Sequence, residues 1–522
     1  MDLTPRRLFT AILLIALVVM ATREIADPDF WWHLRTGQFI LETGTVPHGD
    51  IFSYTNAGRP WVTHEWLSEV LIYALYRLGS YPALILTFSA IVALSFALVF
   101  FRSKGQPYIA AFAVLLAALA SAPTWGVRPQ IISLLLTSVF LFVLEKHRGE
   151  NKGDDVDDHM GEHKGDHIGD HKGDHKGRPY VWVLVPLMLL WVNLHSGFAL
   201  GLALIAIYLF GEIADHIFTP TPPHSHTPNF PPSPILPHSH TPRTLALVLL
   251  ACLLVVPLNP NGATMYIYPF ETLGSRAMQA YIQEWFSPDF HQIEWQPFAW
   301  LVFGTLAAVA LSGKRTSVTR VTLLAVFGYA GLRSARLIPI FALIAAPILA
   351  EHLWSILETR GWTAALQSRA RVSRGMSFVN WLLLLVIVLA AALRVGMVIG
   401  NQTAAERAKF PAAAVDFLQA RRGGVTPPLL YNAYGWGGYL IWRLYPEQRV
   451  FIDGRADVYG DAFMEEFLTA WRGGANWRAP LERFGVQVVL VESDAPIASR
   501  LAQDREWKQV YSDVQARIFQ RQ

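Results

Sequence analysis

The run Asp27-Pro28-Asp29-Phe30-Trp31-Trp32-His33 sets two carboxylates and an imidazole around three consecutive aromatic rings. A carboxylate close to a hydroxyl can take its proton as the oxygen attacks, and a second one beside it can share that work or hold a cation. Phe30, Trp31 and Trp32 favour the layer where lipid headgroups meet water. Chemistry placed there suits a substrate whose tail lies in lipid and whose head lies in water. Further polar groups recur just beyond apolar runs: Arg35, His64 and Glu65 in the same loop, then Arg128, Asn193, His195, Glu284, Arg333 and Arg336. Ionisable groups at membrane depth are costly and face a bundle interior or a cavity. These are therefore expected to converge on one site.

Apolar segments must position them. The 522-residue chain is 52% hydrophobic and 16% charged, with a mean hydropathy of +0.30, unlike ordinary soluble chains. Runs that cross or nearly cross a bilayer core of about 30 Å occur at 8–21, 82–101, 107–122, 129–144, 180–194, 198–213, 245–258, 297–311, 321–332, 337–353 and 381–399. They predict an α-helical polytopic membrane protein of about 11 transmembrane helices, with the lipid bilayer as its surroundings. Lys and Arg collect in alternate loops, at Arg6 and Arg7, Arg102 and Lys104, Lys314, Arg315 and Arg320, and Arg360, Arg369, Arg371 and Arg374. Such loops stay cytoplasmic. The N terminus is thus expected inside, and the polar loops and the C-terminal region outside, in a bacterial inner (plasma) membrane. Arg6 and Arg7 before 8–21 also resemble a signal peptide, but no small-x-small cleavage site follows, so the span is expected to be retained.

The formal net charge of +3 argues for no nucleic-acid partner. The single cysteine, Cys252, excludes an intrachain disulfide and a cysteine metal centre. On the cytoplasmic side, 159–175 repeat His-x-Gly-Asp/Glu and 219–242 are Pro-rich with His-Ser-His-Thr-Pro twice. Neither composition builds a packed core, so 146–178 and 216–243 are expected to be disordered linkers. A histidine tract can take zinc or nickel, but this repeat lacks fixed geometry.

Residues 1–403 are expected to form the membrane domain, with a long first outer loop at 22–81 whose end, 66–78, is amphipathic. Residues 404–522 are expected to form a small extracytoplasmic α/β domain. It would have a helix at 411–421 and strands at 429–432, 449–452, 486–492, 507–511 and 516–519. Gly435-Trp436-Gly437-Gly438 lacks the spacing of a dinucleotide loop. The segment 451–457, with Asp453, Arg455 and Asp457, either binds substrate or is a turn held by an Asp–Arg pair.

The stretch Asp27 to Arg35, followed by Gly44, Asp50, Phe52 and Tyr54, resembles the first outer loop of the C-type glycosyltransferase (GT-C) superfamily. In particular it is similar to the Asp-Pro-x-Phe-x-x-Arg run of oligosaccharyltransferase catalytic subunits. With Trp191 to His195 and Arg333 to Arg336, the layout looks most like uncharacterised bacterial members of that superfamily. The resemblance implies a GT-C-like fold and transfer of a sugar from a polyprenyl-phosphate-linked donor to an acceptor at the outer membrane face. Two departures matter. Residues 121–128 hold no acid, where oligosaccharyltransferases carry a second acidic metal-binding motif, and their Trp-Trp-Asp acceptor motif is missing from the C-terminal region. Both point away from asparagine and toward a hexosyl- or pentosyltransferase acting on a glycan, lipid or protein hydroxyl. No cofactor is expected; a divalent metal is chemically admissible at the carboxylates without being expected.

Asp27, which matches the family's Asp, is then the first candidate for general base and Asp29 the second. Arg333 and Arg336 offer forked donors to a phosphate leaving group, headgroup anchoring being the alternative. His33, Arg35, His64, Glu65, Arg128, Asn193, His195 and Glu284 are candidates to bind or orient substrate, with structural hydrogen bonding the alternative for the histidines. Two other classes would share the spans. A transporter or flippase of lipid-linked sugars needs a path across the bilayer and usually inverted repeats, which this sequence does not display; a non-catalytic assembly protein would use the C-terminal domain for binding.

Overall fold

The computed structural model describes residues 3–103, 107–152, 180–218, 240–363, 373–421 and 427–522. The His159 to His175 repeat and nearly all of the Pro-rich run lie outside the described residues. Each apolar run folds as a helix, because in lipid only hydrogen bonds within the segment can satisfy the backbone. The helices are Pro5–Ala21, the second half of Trp66–Arg102, Pro107–Ser121, Gln130–Lys152, Leu184–Leu194, Phe198–Phe218, His240–Val255, Gln296–Leu311, Val318–Arg333, Ile338–Thr359 and Arg374–Lys409. Among the described residues, seven helices are long and apolar enough to cross a membrane.

The exterior fits that solvent. Phe303 and Phe378 are each 70% exposed, a placement that lipid favours and water penalises. In Arg374–Lys409 the usual pattern is inverted, and its buried residues are Ser377, Asn380, Val398 and Gln402. Asn380 Nδ2 donates to Leu3 O at 2.8 Å, and Gln402 Nε2 donates to Ile25 O at 3.1 Å while its Oε1 accepts from Ile25 N at 2.7 Å. Polar side chains thus fasten this helix to both flanks of Pro5–Ala21.

Two helices of the first loop carry the site. Phe30–Thr43 packs on the start of Trp66–Arg102, where a Cβ at Gly37 would lie 1.9 Å from the Glu69 carbonyl oxygen. The absence of a side chain lets the two backbones touch. Trp66–Arg102 breaks at Gly79 and Ser80, the latter with φ of 52°, and Pro82 opens the spanning half.

The last long helix carries the chain past residue 404, so the C-terminal layer begins only after Lys409. There β1 (Leu430–Asn432), β2 (Val488–Glu492), β3 (Trp507–Ser512) and β4 (Ala516–Arg521) form one sheet in the order β1-β2-β4-β3. β1 and β2 are parallel and the other pairs antiparallel. The strand expected at 449–452 does not join this sheet. Val450 instead pairs with the first loop, its N–H donating to Phe52 O at 3.0 Å and its carbonyl accepting from Tyr54 N at 3.1 Å. The C-terminal layer is thereby stitched onto the loop that holds Asp27 and Asp29.

Candidate active site

Asp27 and Asp29 lie in the turn that enters Phe30–Thr43, with the Asp29 N–H donating to Asp27 Oδ1 at 2.8 Å. Arg128, from the loop before Gln130–Lys152, lies across both. Its Nε is 3.1 Å from Asp27 Oδ2, its Nη2 is 2.8 Å from Asp29 Oδ2, and its Nη1 holds Glu284. A planar guanidinium, with five donors in a rigid fork, can face three carboxylates at once. Glu284 Oε2 in turn lies 3.9 Å from Arg336 Nη1, and Arg336 stacks over Trp285 with 5.5 Å to the ring centre.

Burial dominates both aspartates and raises them against the pull of Arg128, Asp29 to about 7. Burial also acts to raise Glu284, but Arg128 and Arg336 together bring it below its ordinary value. Asp29 lines a polar cavity of about 100 Å³ with His33, His64, Glu65, Arg128 and Arg336. Asp27 is not among the residues of that wall. Asp29 faces the cavity, while Asp27 is held by Arg128 and by the Asp29 N–H.

On the far wall Glu65 is surrounded by imidazoles. Its Oε1 is 3.5 Å from His33 Nδ1, and its Oε2 is 3.4 Å from His64 Nε2 and 3.7 Å from His195 Nε2. His64 Nδ1 donates to Val62 O at 3.2 Å. His195 Nδ1 accepts the Gly197 N–H at 2.9 Å, which leaves its own proton on Nε2, facing Glu65. Burial lowers His33 and His195 to about 3, so both are neutral. Burial also acts to lower His64, yet Glu65 holds it above its ordinary value. Glu65 itself, which burial would raise, stays ionised because His64 and His33 face it.

A divalent ion does not fit at Asp27 and Asp29, since Arg128 occupies the space between their oxygens. His64, Glu65 and His195 offer ligand atoms within 4.8 Å of one another, but the Nε2 proton of His195 points into that space. No step is therefore assigned to a metal at either place.

The C-terminal layer closes the cavity. A Cβ at Gly454 would lie 1.9 Å from Asp29 Oδ1, so the backbone there is pressed against the carboxylate. Arg455 Nη2 is 2.7 Å from Asp453 Oδ2 and 2.8 Å from Asp50 Oδ1, and its guanidinium lies 4.4 Å from the Trp61 ring centre. Asp457 Oδ2 accepts the Tyr268 hydroxyl at 3.0 Å, and Tyr268 lies against the His64 ring. In 451–457 an Asp–Arg pair fixes the turn, and the turn walls the cavity.

Three expected residues lie elsewhere. Arg35 donates to Gln38 Oε1 and Tyr445 O. Asn193 accepts from Trp66 Nε1 and donates to Leu189 O. Arg333 ends Val318–Arg333 on the exposed side, and the chain turns at Ser334, whose hydroxyl donates to Glu284 O at 3.1 Å. That turn brings Arg336, not Arg333, to the cavity. Arg455 and Asp457, from the segment 451–457 whose sequence carried a signal, join the site together with Tyr268 and Glu69, which carried none.

Beyond Arg336 and His195, which it shares with the polar cavity, lies an apolar cavity of about 170 Å³ walled by Trp125, Ile131, Leu134, Leu200 and Ile340. A guanidinium thus stands where an apolar chamber meets a polar one.

No protein-family model matches the sequence, and no curated protein matches it significantly. Solved structures do share its architecture. The oligosaccharyltransferase of Archaeoglobus fulgidus in its apo form superposes with a TM-score of 0.56 at 13% identity, over 94% of this chain and 70% of that one. The same archaeal enzyme, AglB, in complex with an inhibitory peptide and a dolichol-phosphate gives 0.55 at 12% identity, over 93% and 69%. Its form tethered to an acceptor peptide containing the NVT sequon gives 0.54 at 13%, over 94% and 69%. At such identities the likeness speaks for the fold alone: this chain has the membrane fold seen in these oligosaccharyltransferase structures.

Proposed function

We propose that the protein is a membrane glycosyltransferase that moves a sugar from a polyprenyl-phosphate-linked donor to a hydroxyl acceptor. The observation that carries this reading is the junction at Arg336, with an apolar cavity on one side and the Asp29–Arg128 cluster on the other. A prenyl tail fits the first and a phosphate the guanidinium between them. The acceptor hydroxyl would attack the anomeric carbon as its proton passes to Asp29, and the bond from that carbon to the phosphate oxygen would break. Arg336 would receive the charge that develops on the leaving phosphate. Asp27 and Arg128 would hold Asp29 in place, and His64 and Glu65 would orient the acceptor.

The Arg-rich loops support a reading with a cytoplasmic N terminus and this chemistry on the extracytoplasmic face of a bacterial inner membrane. The missing acidic motif and the place of Arg128 support transfer without a metal at the aspartates. Incubating purified protein with radiolabelled polyprenyl-phosphate-linked sugars and a panel of glycan, lipid and peptide acceptors tests the reading. Label on a hydroxyl acceptor is expected. Label that crosses a vesicle membrane on its original carrier, with no acceptor modified, would identify a flippase instead.

A further inference from the structure

We infer that His33, Glu65 and Glu69 form a binding site for one divalent transition-metal ion, Zn²⁺ or Mn²⁺, on the wall opposite Arg128. Glu69 stands one helical turn beyond Glu65, and its side chain is 0% exposed. Its Oε1 lies 3.4 Å from His33 Nδ1, while its Oε2 is buried with no hydrogen-bond partner. A buried carboxylate oxygen left unpaired is costly, and sites of this kind call for an unseen partner. Gly37 permits the close helix crossing that drives Glu69 inward.

The spacing distinguishes an ion from a hydrogen bond. His33 Nδ1 stands 3.5 Å from Glu65 Oε1 and 3.4 Å from Glu69 Oε1. Charge-assisted N–H···O bonds close to about 2.7–2.9 Å, so one proton bridges neither gap well. Two ligands of a tetrahedral ion, each at about 2.0–2.2 Å, are separated by roughly 3.3–3.6 Å. All three residues place a ligand atom within 4.8 Å of the others. Charge agrees as well, because two carboxylates balance a divalent ion with a neutral imidazole as third ligand. Glu65 keeps its second oxygen for His64 and His195, as metal-bound carboxylates are commonly held from behind. Two of the three residues, His33 and Glu65, also line the cavity that holds Asp29.

The competing arrangement is a proton on Glu69, and glutamine copies that state. Full-length protein is exchanged against EDTA and titrated with ZnCl₂ and then MnCl₂. Bound metal is measured by mass spectrometry and unfolding by intrinsic fluorescence, neither of which depends on glycosyl transfer. The His159 to His175 tract contributes equally to all variants and cancels in the comparison. Glu69→Gln and His33→Gln are each expected to bind one equivalent less than the wild type. The unfolding temperature of the wild type is expected to fall with EDTA and recover with metal, while the variants do not respond. Equal stoichiometry in wild type and variants, with a wild-type unfolding temperature indifferent to EDTA, would overturn the assignment. Should either variant fail to fold, the other supplies the stoichiometry, and the EDTA response of the wild type decides by itself.

Discussion

Gly454 and Asp29, from opposite ends of the chain, meet so closely that a methyl group on the glycine would lie 1.9 Å from the Asp29 Oδ1. Gly454→Ala must therefore displace the carboxylate or the C-terminal layer. Displacement of a reacting group by about 1 Å costs on the order of 100-fold in rate. A loss of that size is expected, whereas Gly474→Ala, with open space around its Cβ, should leave transfer unchanged. Equal rates for the two variants would mean that the C-terminal layer does not position Asp29.

Arg128 is the counter-charge of Asp27, Asp29 and Glu284. Removing one partner of a buried ion cluster typically costs about 3–5 kcal/mol, and Arg128→Ala is expected to lose stability on that scale. The sign of its pH dependence follows from burial. Without the guanidinium, desolvation acts alone and the folded-state carboxyl pKa values rise further above their unfolded values of about 4. The folded variant then holds extra protons, so its deficit is small near pH 5 and widens as pH rises toward 8. Melting curves in detergent at both pH values measure the gap; a constant gap would contradict the electrostatic role.

Arg336 joins the two cavities and Arg333 stands outside them. Arg336→Ala should weaken binding of a polyprenyl-phosphate donor roughly 10- to 100-fold, the scale of a lost charge-assisted contact. Arg333→Ala should change it little. Titration of both variants with a fluorescent prenyl phosphate checks this, and the opposite ranking would move the phosphate site.

Asp29, raised by burial to about 7, must be unprotonated to accept a proton. Transfer is expected to fall as pH drops through about 7 and to level off above it. A flat profile from about pH 5 to 8 would remove the reason to assign Asp29 as base.

Much of this site was legible in the sequence because charge near an apolar span is costly enough to be rare. Asp29, His33, Glu65, Arg128, His195, Glu284 and Arg336 stood out for that reason, and the structure brings them around one cavity, with Asp27 joined to it through Arg128. What stayed hidden depended on local turns. That Asp29 lines the cavity follows from the turn in which its N–H folds back on Asp27, and two residues of spacing cannot reveal it. Of the pair Arg333 and Arg336, the helix break at Ser334 brings Arg336 to the cavity and leaves Arg333 exposed. Glu69 lies within the amphipathic stretch 66–78, and its burial comes from a second helix that Gly37 lets approach closely. Val450 carries strand-like residues, but its partner is the first loop rather than the sheet. Pairing between distant segments leaves no periodic signal.

The most direct test compares Asp29→Asn and Asp27→Asn in transfer from a labelled polyprenyl-linked sugar, with donor binding measured alongside. Asparagine keeps the size and most of the hydrogen bonding and removes the proton acceptor. Asp29→Asn is expected to reduce transfer by roughly 100-fold or more with donor binding retained. Asp27→Asn should act more weakly, through loss of its hold on Asp29 and Arg128. Wild-type turnover by a correctly folded Asp29→Asn protein would contradict the proposed base, and with it the account of this cavity as a transferase site.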